Sequence, residues 1–296
     1  MPTFDSRGPI SVNVEIGVGE IWMIAGDRTD TVVEVRPADP SRQRDVVAAE
    51  QTRVDYSDGA LRIKAQKGMQ PYSFRRGAEA IHVVVELPAG STIASEAGVG
   101  VLHATGRLGN VRHKSGAGDV RIDEAADVSL KTGAGDVSVG RAAGCDIATG
   151  SGGVRIGTID GAAVVKNSNG DTEIGDIAGD LRVKAANGKV GVDRAQSTVA
   201  VTTANGDIRL GEVGRGAVVA KTAYGRIDIG IRDGVAAWLD LNTSFGKVQS
   251  DLDAAERPAP GDDVVEVKAR TAFGDVTIRR AVAQPNGPQP DALRPR

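Results

Sequence analysis

The chain has 296 residues, a formal net charge of -3, 40% hydrophobic residues, 39 glycines and only 3% aromatic residues. This charge gives no general attraction to nucleic acid or acidic membranes, so no nucleic-acid partner is expected, and the single cysteine excludes a disulfide within the chain. No stretch approaches the ~20 apolar residues of a membrane-spanning helix, and the start lacks a signal-peptide pattern, so we expect a cytoplasmic protein.

The irregular apolar pattern of residues 1–92 predicts irregular coils and a cap, which are continuous with the rest of the stack. Alternating apolar residues surround Gly19, Gly59 and Gly100, which we interpret as turn glycines of early coils. The stretch Ala38–Gln51 predicts a brief helix, and Lys67–Glu79 predicts a long loop. The end repeats of a stacked protein should be atypical, because they must close an open end.

A repeated phrase dominates residues 93–280. It has the form [ST]-x-x-G-[DK]-[VI]-x-[IVL], as in SGAGDVRI at 115–122 and TGAGDVSV at 132–139. Subtraction gives spacings of 17, 17, 18, 18, 18, 19, 21 and 28 residues between the anchoring glycines. A near-constant period indicates stacked repeats, none of which can bury its apolar face alone. The anchoring glycines are Gly118, Gly135, Gly152, Gly170, Gly188, Gly206, Gly225, Gly246 and Gly274.

Apolar residues alternate with polar ones on both sides of each anchor, which predicts β-strands with one buried face. They stand seven and five residues before the glycine and two, four and seven residues after it. Three inward-facing sides in ~17–18 residues fit one coil of a solenoid rising ~4.8 Å per turn. We therefore predict an all-β, single-stranded β-solenoid (β-helix) in which Val120, Val137 and Val154 lie in one file.

The residue before the anchor changes in groups along the chain. It is small in the first repeats, asparagine at 169, 187 and 205, and aromatic at 224, 245 and 273. Such grouping predicts ladders of like side chains between adjacent coils. By parity with the apolar positions, we expect the asparagine ladder to be internal. Residues 254–263 predict an inserted loop, and residues 281–296, which are rich in proline, predict a disordered tail.

Two sets of side chains are candidate binding sites. A basic column four residues before the anchor is either a stripe that binds an anionic or protein partner or a solvated face that aids solubility. An aromatic group in the last coils is either a docking patch or filling for a wider core. The basic column comprises Lys114, Lys131, Lys166, Lys184, Lys221 and Arg270, and the aromatic group comprises Tyr224, Trp238, Phe245 and Phe273.

No catalytic, metal-binding or cofactor-binding residues are predicted. The aspartates after the anchor, such as Asp119 and Asp136, invite comparison with calcium-binding β-rolls, but lysine and arginine share their column, so turn formation is the favoured interpretation. Cys145 falls in an apolar column and should be a buried, inert thiol. The three histidines show no metal-site spacing.

The repeated phrase and the opening ISVNVEIGVGEIWMIAGDRTDTVVEV resemble the bacterial "putative adhesin" β-strand-repeat family of actinobacterial type, a domain of unknown function. The resemblance covers about residues 8–280 and implies no catalytic motif. Bactofilin-like polymerising proteins are a looser likeness.

The function predicted is therefore a non-enzymatic interaction scaffold of adhesin-like type, which presents sheet faces to a protein or anionic partner. One alternative is a self-assembling structural protein that associates through the open strand edges at the solenoid ends. Another is a polysaccharide-acting β-helix enzyme, which would need acids and bases in a cleft beside exposed aromatic residues.

Overall fold

The computed structural model describes residues 2–65, 79–252 and 263–281. Most of them lie in strands, and these strands stack coil upon coil, which confirms the predicted β-solenoid. Equivalent residues of adjacent coils pair in parallel register, and Val137 pairs with Val120 on one side and Val154 on the other. The predicted loop at 67–79, the inserted loop at 254–263 and the tail at 281–296 lie almost wholly outside the described residues.

At the N-terminal end, the order of the coils in space differs from their order in the sequence. Strand β2 pairs in parallel with β7 on one side and with β5 and β6 on the other, so β5 and β6 form the outermost coil. The first elements are β1 (Thr3–Asp5), β2 (Ser11–Gly26), β3 (Asp30–Pro37), α1 (Gln43–Gln51), β4 (Arg53–Ser57), β5 (Ala60–Lys64), β6 (Ala80–Pro88) and β7 (Thr92–Leu108).

Antiparallel strands and one helix close this end. Strand β4 pairs with β5 and β3 pairs with β6, both antiparallel, and so occupy the outer edge that a parallel coil leaves unpaired. The helix predicted within 38–51 is confirmed as α1. Its buried Asp45 accepts hydrogen bonds from the backbone N–H groups of Asp39 at 3.3 Å and Ala80 at 3.2 Å, which tie the helix to the start of β6.

The interpretation of Gly59 as a coil corner was wrong. Gly59 (φ 75°) and Asp58 (φ 50°) form the two-residue turn of the antiparallel β4–β5 hairpin. A hairpin turn of this kind requires positive φ just as a solenoid corner does, so the glycine alone does not distinguish them. Leu61 consequently pairs with Val12, which lies before the Gly19 corner. A corner at Gly59 would have placed Leu61 in a strand that follows a corner.

The central coils follow the predicted pattern closely. The five apolar positions around each corner point inward and form one continuous core from Val111 to Ile231. The core is narrow because each coil contributes mainly valine, isoleucine, leucine and alanine. The strands are β8 (Val111–Ala117), β9 (Val120–Ala134), β10 (Val137–Ser151), β11 (Val154–Ile159), β12 (Ala163–Asn169), β13 (Thr172–Ile177), β14 (Leu181–Asn187), β15 (Val190–Ala195), β16 (Val199–Thr202), β17 (Ile208–Val213), β18 (Gly216–Tyr224) and β19 (Ile227–Ile231).

The anchoring glycines form the corners. Eight of the nine have φ between 129° and 154°, and Gly246 is the exception. The stacking also leaves no room for a side chain, because a Cβ at Gly135 would lie 2.2 Å from the carbonyl oxygen of Gly118. Three residues before the corner, a buried hydroxyl commonly bonds to a carbonyl at the turn; Thr271, for example, donates to Gly225 at 3.0 Å.

At the C-terminal end the chain again departs from sequence order. Strand β22 pairs with β18 on one side and β20 on the other, and β23 pairs with β19 and β21. The coil of β22 and β23, which is last in the sequence, therefore lies between the coil of β18 and β19 and the coil of β20 and β21. Residues 236–250 form the outermost coil of this end. The strands are β20 (Ala236–Phe245), β21 (Val248–Ser250), β22 (Val264–Phe273) and β23 (Val276–Arg280).

Candidate binding faces

The predicted basic column is a continuous file on the outer surface. Parallel pairing aligns its six members in one file. Two coils have no basic residue in this file, and there Ala148 and Thr202 occupy the position. The two end members form ion pairs, Lys114 with Glu96 and Arg270 with Asp240, both at 3.3 Å. The four between them, Lys131, Lys166, Lys184 and Lys221, are exposed and form no ion pair within 4.0 Å with any described residue.

The surrounding surface strengthens this positive charge. We define the basic face as the outward side chains four and six residues before each corner, on strands β8 to β18. Although the whole chain carries a net charge of -3, basic residues far outnumber acidic ones on this face. The basic residues are Arg112, Lys114, Lys131, Lys166, Arg182, Lys184 and Lys221, and the acidic residue is Asp146.

A shallow depression interrupts the basic face at Ala148. It has a volume of about 400 Å³, and Lys114, Lys131 and Lys166 stand around it. Gly133 and Gly150, which have no side chains, form part of its floor. Since adjacent coils are ~4.8 Å apart, Lys131 and Lys166 stand on either side of Ala148 at backbone positions about 10 Å apart. An anionic group lying in the depression would therefore meet ammonium groups from both sides.

The aspartate column has a structural role that accounts for its recurrence. One carboxylate oxygen of each aspartate accepts a hydrogen bond from the backbone N–H of the equivalent residue in the next coil. Asp136, for example, accepts from Gly153 at 2.7 Å, and Asp171 accepts from Lys189 at 2.8 Å. Asp119, Asp207 and Asp275 do the same for the coils above them. The aspartates thus satisfy N–H groups that the sharp corner leaves without a carbonyl partner.

The residues before the corners form an exposed ridge, here called the corner ridge. The asparagine ladder is hydrogen-bonded as predicted: Asn187 donates to Asn169 at 2.8 Å, and Asn205 donates to Asn187 at 2.9 Å. The expectation that it is internal was wrong, because all three side chains are exposed. Alternation holds only along a straight strand, and the chain begins to turn at this position.

The aromatic group is divided between two places. Tyr224, Phe273 and Phe245 stack in that order on the corner ridge, with ring centroids 4.9 and 4.8 Å apart and nearly parallel planes. Trp238 lies seven residues earlier on β20, roughly 23 Å away along an extended strand. All four are exposed, so the alternative in which they fill a wider core was wrong.

A groove on the side that follows the corners was not predicted. It encloses about 560 Å³, and its lining includes Glu20, His103, Asp119, Arg121 and Arg155. Beside it, Trp22 stacks on His103 at 4.1 Å and donates a hydrogen bond to Glu20 at 3.0 Å. The contact between Trp22 and His103 was hard to predict from the sequence, because the two residues are 81 positions apart and become neighbours only through the pairing of β2 with β7.

Burial controls the acidity of two further side chains, Cys145 and His113. Burial, with a smaller contribution from Asp127, raises the pKa of the Cys145 thiol to about 12, as expected for an inert cysteine. Burial lowers the pKa of His113 to about 4. No cluster of three or more histidine, cysteine, aspartate or glutamate residues gathers in a metal-binding arrangement within residues 2–65, 79–252 and 263–281. In the same part of the chain, no helix is both long and apolar enough to cross a membrane.

The sequence of this stack matches a known family. The sequence profile of Toastrack DUF4097 matches residues 10–279. The chain belongs to the Toastrack DUF4097 family. This assignment confirms the predicted membership of a β-strand-repeat family of unknown function, while the actinobacterial type stays a prediction. No curated protein sequence matches the chain.

Solved structures with similarity to this Toastrack chain share little sequence with it. A "putative cell adhesion protein" from Clostridium sporogenes is 12% identical, with 94% of this chain and 98% of the other covered and a TM-score of 0.25. A "putative adhesin" from Bacteroides fragilis is 14% identical, with 94% and 96% covered and a TM-score of 0.34. Another from Parabacteroides distasonis is 10% identical, with 94% and 95% covered and a TM-score of 0.31.

Proposed function

We propose that this Toastrack domain is a non-enzymatic interaction scaffold whose basic face binds an extended anionic partner. The observation that carries the proposal is the file of exposed lysines, four of which have no acidic partner among the described residues. Like charges stacked ~4.8 Å apart repel one another, so a face of this kind is stabilised when an anion lies along it. An adhesin-like role is one form of such binding. A cytoplasmic location stays a prediction.

The structure of the face favours an extended ligand over a compact one. The lysines follow the solenoid axis, and beside them runs a column of small residues that includes Gly133, Gly150 and Ala186. A chain with regularly spaced carboxylates can therefore approach the backbone closely while its charges meet one lysine after another. The depression at Ala148 lies on this path, with Lys114, Lys131 and Lys166 around it.

The proposal of a non-enzymatic role rests on the roles found for the patterned polar residues. The aspartates bind backbone N–H groups, the buried threonines bind corner carbonyls and the asparagines bind each other. These residues stabilise the stack, and the lysines are the recurring set left over. The alternative of a polysaccharide-acting enzyme has less support, because Trp22 is the single aromatic residue among the described ones beside the groove lined by Glu20 and Asp119. The exposed aromatic residues lie on the corner ridge and at Trp238.

Binding of sodium polyglutamate and of polygalacturonate at low ionic strength, measured by isothermal titration calorimetry, tests this function. We expect at least one polymer to bind, with an affinity that falls as salt is added. The double variant Lys131→Gln/Lys166→Gln should bind about tenfold more weakly, since two exposed charge contacts contribute up to ~1 kcal/mol each and ~1.4 kcal/mol corresponds to tenfold.

The matched control is Lys189→Gln/Lys247→Gln, which removes the same charge from the column after the corners. It should bind like the unmodified protein. Failure of both polymers to bind, or an equal loss of affinity in the two double variants, would show that the basic face is a solvated surface and not a binding site.

A further inference from the structure

The two ends of the solenoid are closed to very different extents. In the outermost N-terminal coil, the inward-facing Leu61 and Val83 are 1% and 0% exposed, because β3, β4 and α1 lie around them. Leu239 and Val248 occupy the same two files in the outermost C-terminal coil. They are 36% and 46% exposed. Core-facing residues are therefore open to solvent at the C-terminal end alone, within the part of the chain that is described.

Among the described residues, no element covers the strand edges at this end. Within the described residues, β20 pairs only with β22, and β21 pairs only with β23. One edge of each strand therefore presents backbone N–H and C=O groups without a strand partner. Proteins normally protect such edges with lysine, proline or a covering element. The sequences of β20 (AAWLDLNTSF) and β21 (VQS) contain neither lysine nor proline. An apolar, unprotected edge of this kind is suited to pairing with another chain.

The aromatic ladder ends at the same place. Phe245 stacks on Phe273 at 4.8 Å with an interplanar angle of 8°, and it is 67% exposed. Its other ring face has no aromatic partner among the described residues. A further ring placed above it would continue the stack that Tyr224 and Phe273 begin.

We propose that a second copy of this chain covers the C-terminal end with its own C-terminal end. Because β3, β4 and α1 cover the core-facing residues of the N-terminal coil, that end offers no exposed core for head-to-tail addition. Contact between two identical ends instead requires a twofold axis, which closes the assembly at a dimer. The basic face runs along the side of the solenoid, so this proposal is independent of the anionic partner.

The geometry of the corner specifies how the two copies meet. A twofold axis perpendicular to the solenoid axis reverses the strand direction, so β20 of one copy pairs antiparallel with β21 of the other. When the axis passes between Phe245 and Gly246, inward positions meet inward positions: Thr243 faces Val248, and Leu241 faces Ser250. Outward positions also match, because Asn242 faces Gln249. This agreement of faces is what a stable strand register requires.

The aromatic ladder is continued in the same arrangement. The two Phe245 residues are displaced by one residue along the strand, which is ~3.3 Å, and by one strand spacing across it, which is ~4.8 Å. Their ring centroids are then about 6 Å apart, within the 4.5–7 Å range of offset-stacked rings. The dimer thus covers Val248, places Leu239 opposite Leu252 of the other copy, pairs β21 with residues 241–243 of β20, and extends the ladder across the interface.

Sedimentation velocity of the full chain over a concentration series tests the proposal. The expected result is a monomer–dimer equilibrium without larger species. Val248→Asp, at the open end, should weaken dimerisation at least tenfold, whereas Val99→Asp should leave it unchanged. Val99 is a matched control because it is 52% exposed on the corner ridge near the other end. Circular dichroism confirms that each variant is folded. A strict monomer, a filament, or a folded Val248→Asp variant that dimerises normally would overturn the proposal.

A cross-link tests the register without weakening the interface. In the variant Asn242→Cys/Gln249→Cys, oxidation should give a covalent dimer, because each new cysteine faces its counterpart on the other copy. The control Ser129→Cys/Arg155→Cys places two thiols on the sides of the solenoid and should give no specific dimer. Equal cross-linking in both variants, or none in the first, would contradict the proposed pairing of β20 with β21.

Discussion

Replacement of His113 by leucine should make the stability of this protein less sensitive to acid. The imidazole is 1% exposed, in a file that continues through Leu130, Ile147 and Val165. Its Nδ1 lies 2.8 Å from the Ser95 hydroxyl, while its buried Nε2 has no hydrogen-bond partner. Protonation would place a charge in this apolar core, and burial accordingly lowers the pKa of His113 from 6.5 to about 4.

The size of the stability loss in acid follows from this difference between the pKa of His113 in the unfolded and the folded chain. Above pH 6.5, His113 is neutral in both the folded and the unfolded chain, and stability is unaffected. As the pH falls from 6.5 towards 4, the unfolded chain binds a proton that the folded chain does not, so protons favour unfolding. The full difference of about 2.5 pKa units corresponds to roughly 3 kcal/mol, and at pH 5 the loss is about 2 kcal/mol.

Urea unfolding at pH 8 and pH 5 measures the effect. The unmodified protein should lose about 2 kcal/mol more stability between these two values than His113→Leu does. The loss of the Ser95 hydrogen bond lowers the stability of the variant equally at both pH values, so it cancels in the comparison. Ser95→Ala, which removes the same hydrogen bond but keeps the buried imidazole, should keep the pH dependence of the unmodified protein. If His113→Leu shows that same dependence, the imidazole is not buried in a neutral form.

Three further predictions concern the corners and the core. Gly135→Ala should destabilise the fold by ~2–3 kcal/mol, since its φ of 133° is strained for alanine and its Cβ would contact a backbone oxygen at 2.2 Å. Gly191→Ala, where the Cβ meets nothing within 4 Å, should be neutral or stabilising by up to ~1 kcal/mol in the same urea unfolding assay. Asp136→Ala should cost ~1–2 kcal/mol through the lost hydrogen bond to Gly153, and Asp136→Asn should cost less because it keeps an acceptor. Burial raises the pKa of Cys145 to about 12, so this thiol should react with a thiol reagent at pH 8 only after unfolding. Rapid reaction of the folded protein would contradict the burial of Cys145. An Asp136→Ala variant as stable as the unmodified chain would contradict the role given to the aspartates.

The repeat itself was predictable because its physical causes are local. A period-two apolar pattern beside a glycine specifies a strand, a corner and a strand, and Val120, Val137 and Val154 do lie in one file. The basic column followed from the same register. The buried threonines were visible as the first position of the repeated phrase, although their bonds to corner carbonyls were not inferred.

The order of the end coils could not be predicted, because each coil presents similar apolar files to its neighbours. Sequence order places Phe245 between Tyr224 and Phe273, whereas in the structure Phe273 lies in the middle. The exposure of the corner ridge was also missed. Its side chains have the parity of inward residues, and only the turn at the following glycine directs them outward.

Double electron–electron resonance tests the stacking of the coils most directly. One spin label replaces Lys114, and the second replaces Lys221, Arg270 or Asn242, with Cys145→Ala as background. The three sites lie six, seven and eight coils from Lys114 in the same file. We predict backbone separations of about 29, 34 and 38 Å, so that position 242 is farther away than position 270. Distances that do not grow by one strand spacing per coil, or a shorter distance to 242 than to 270, would contradict the account.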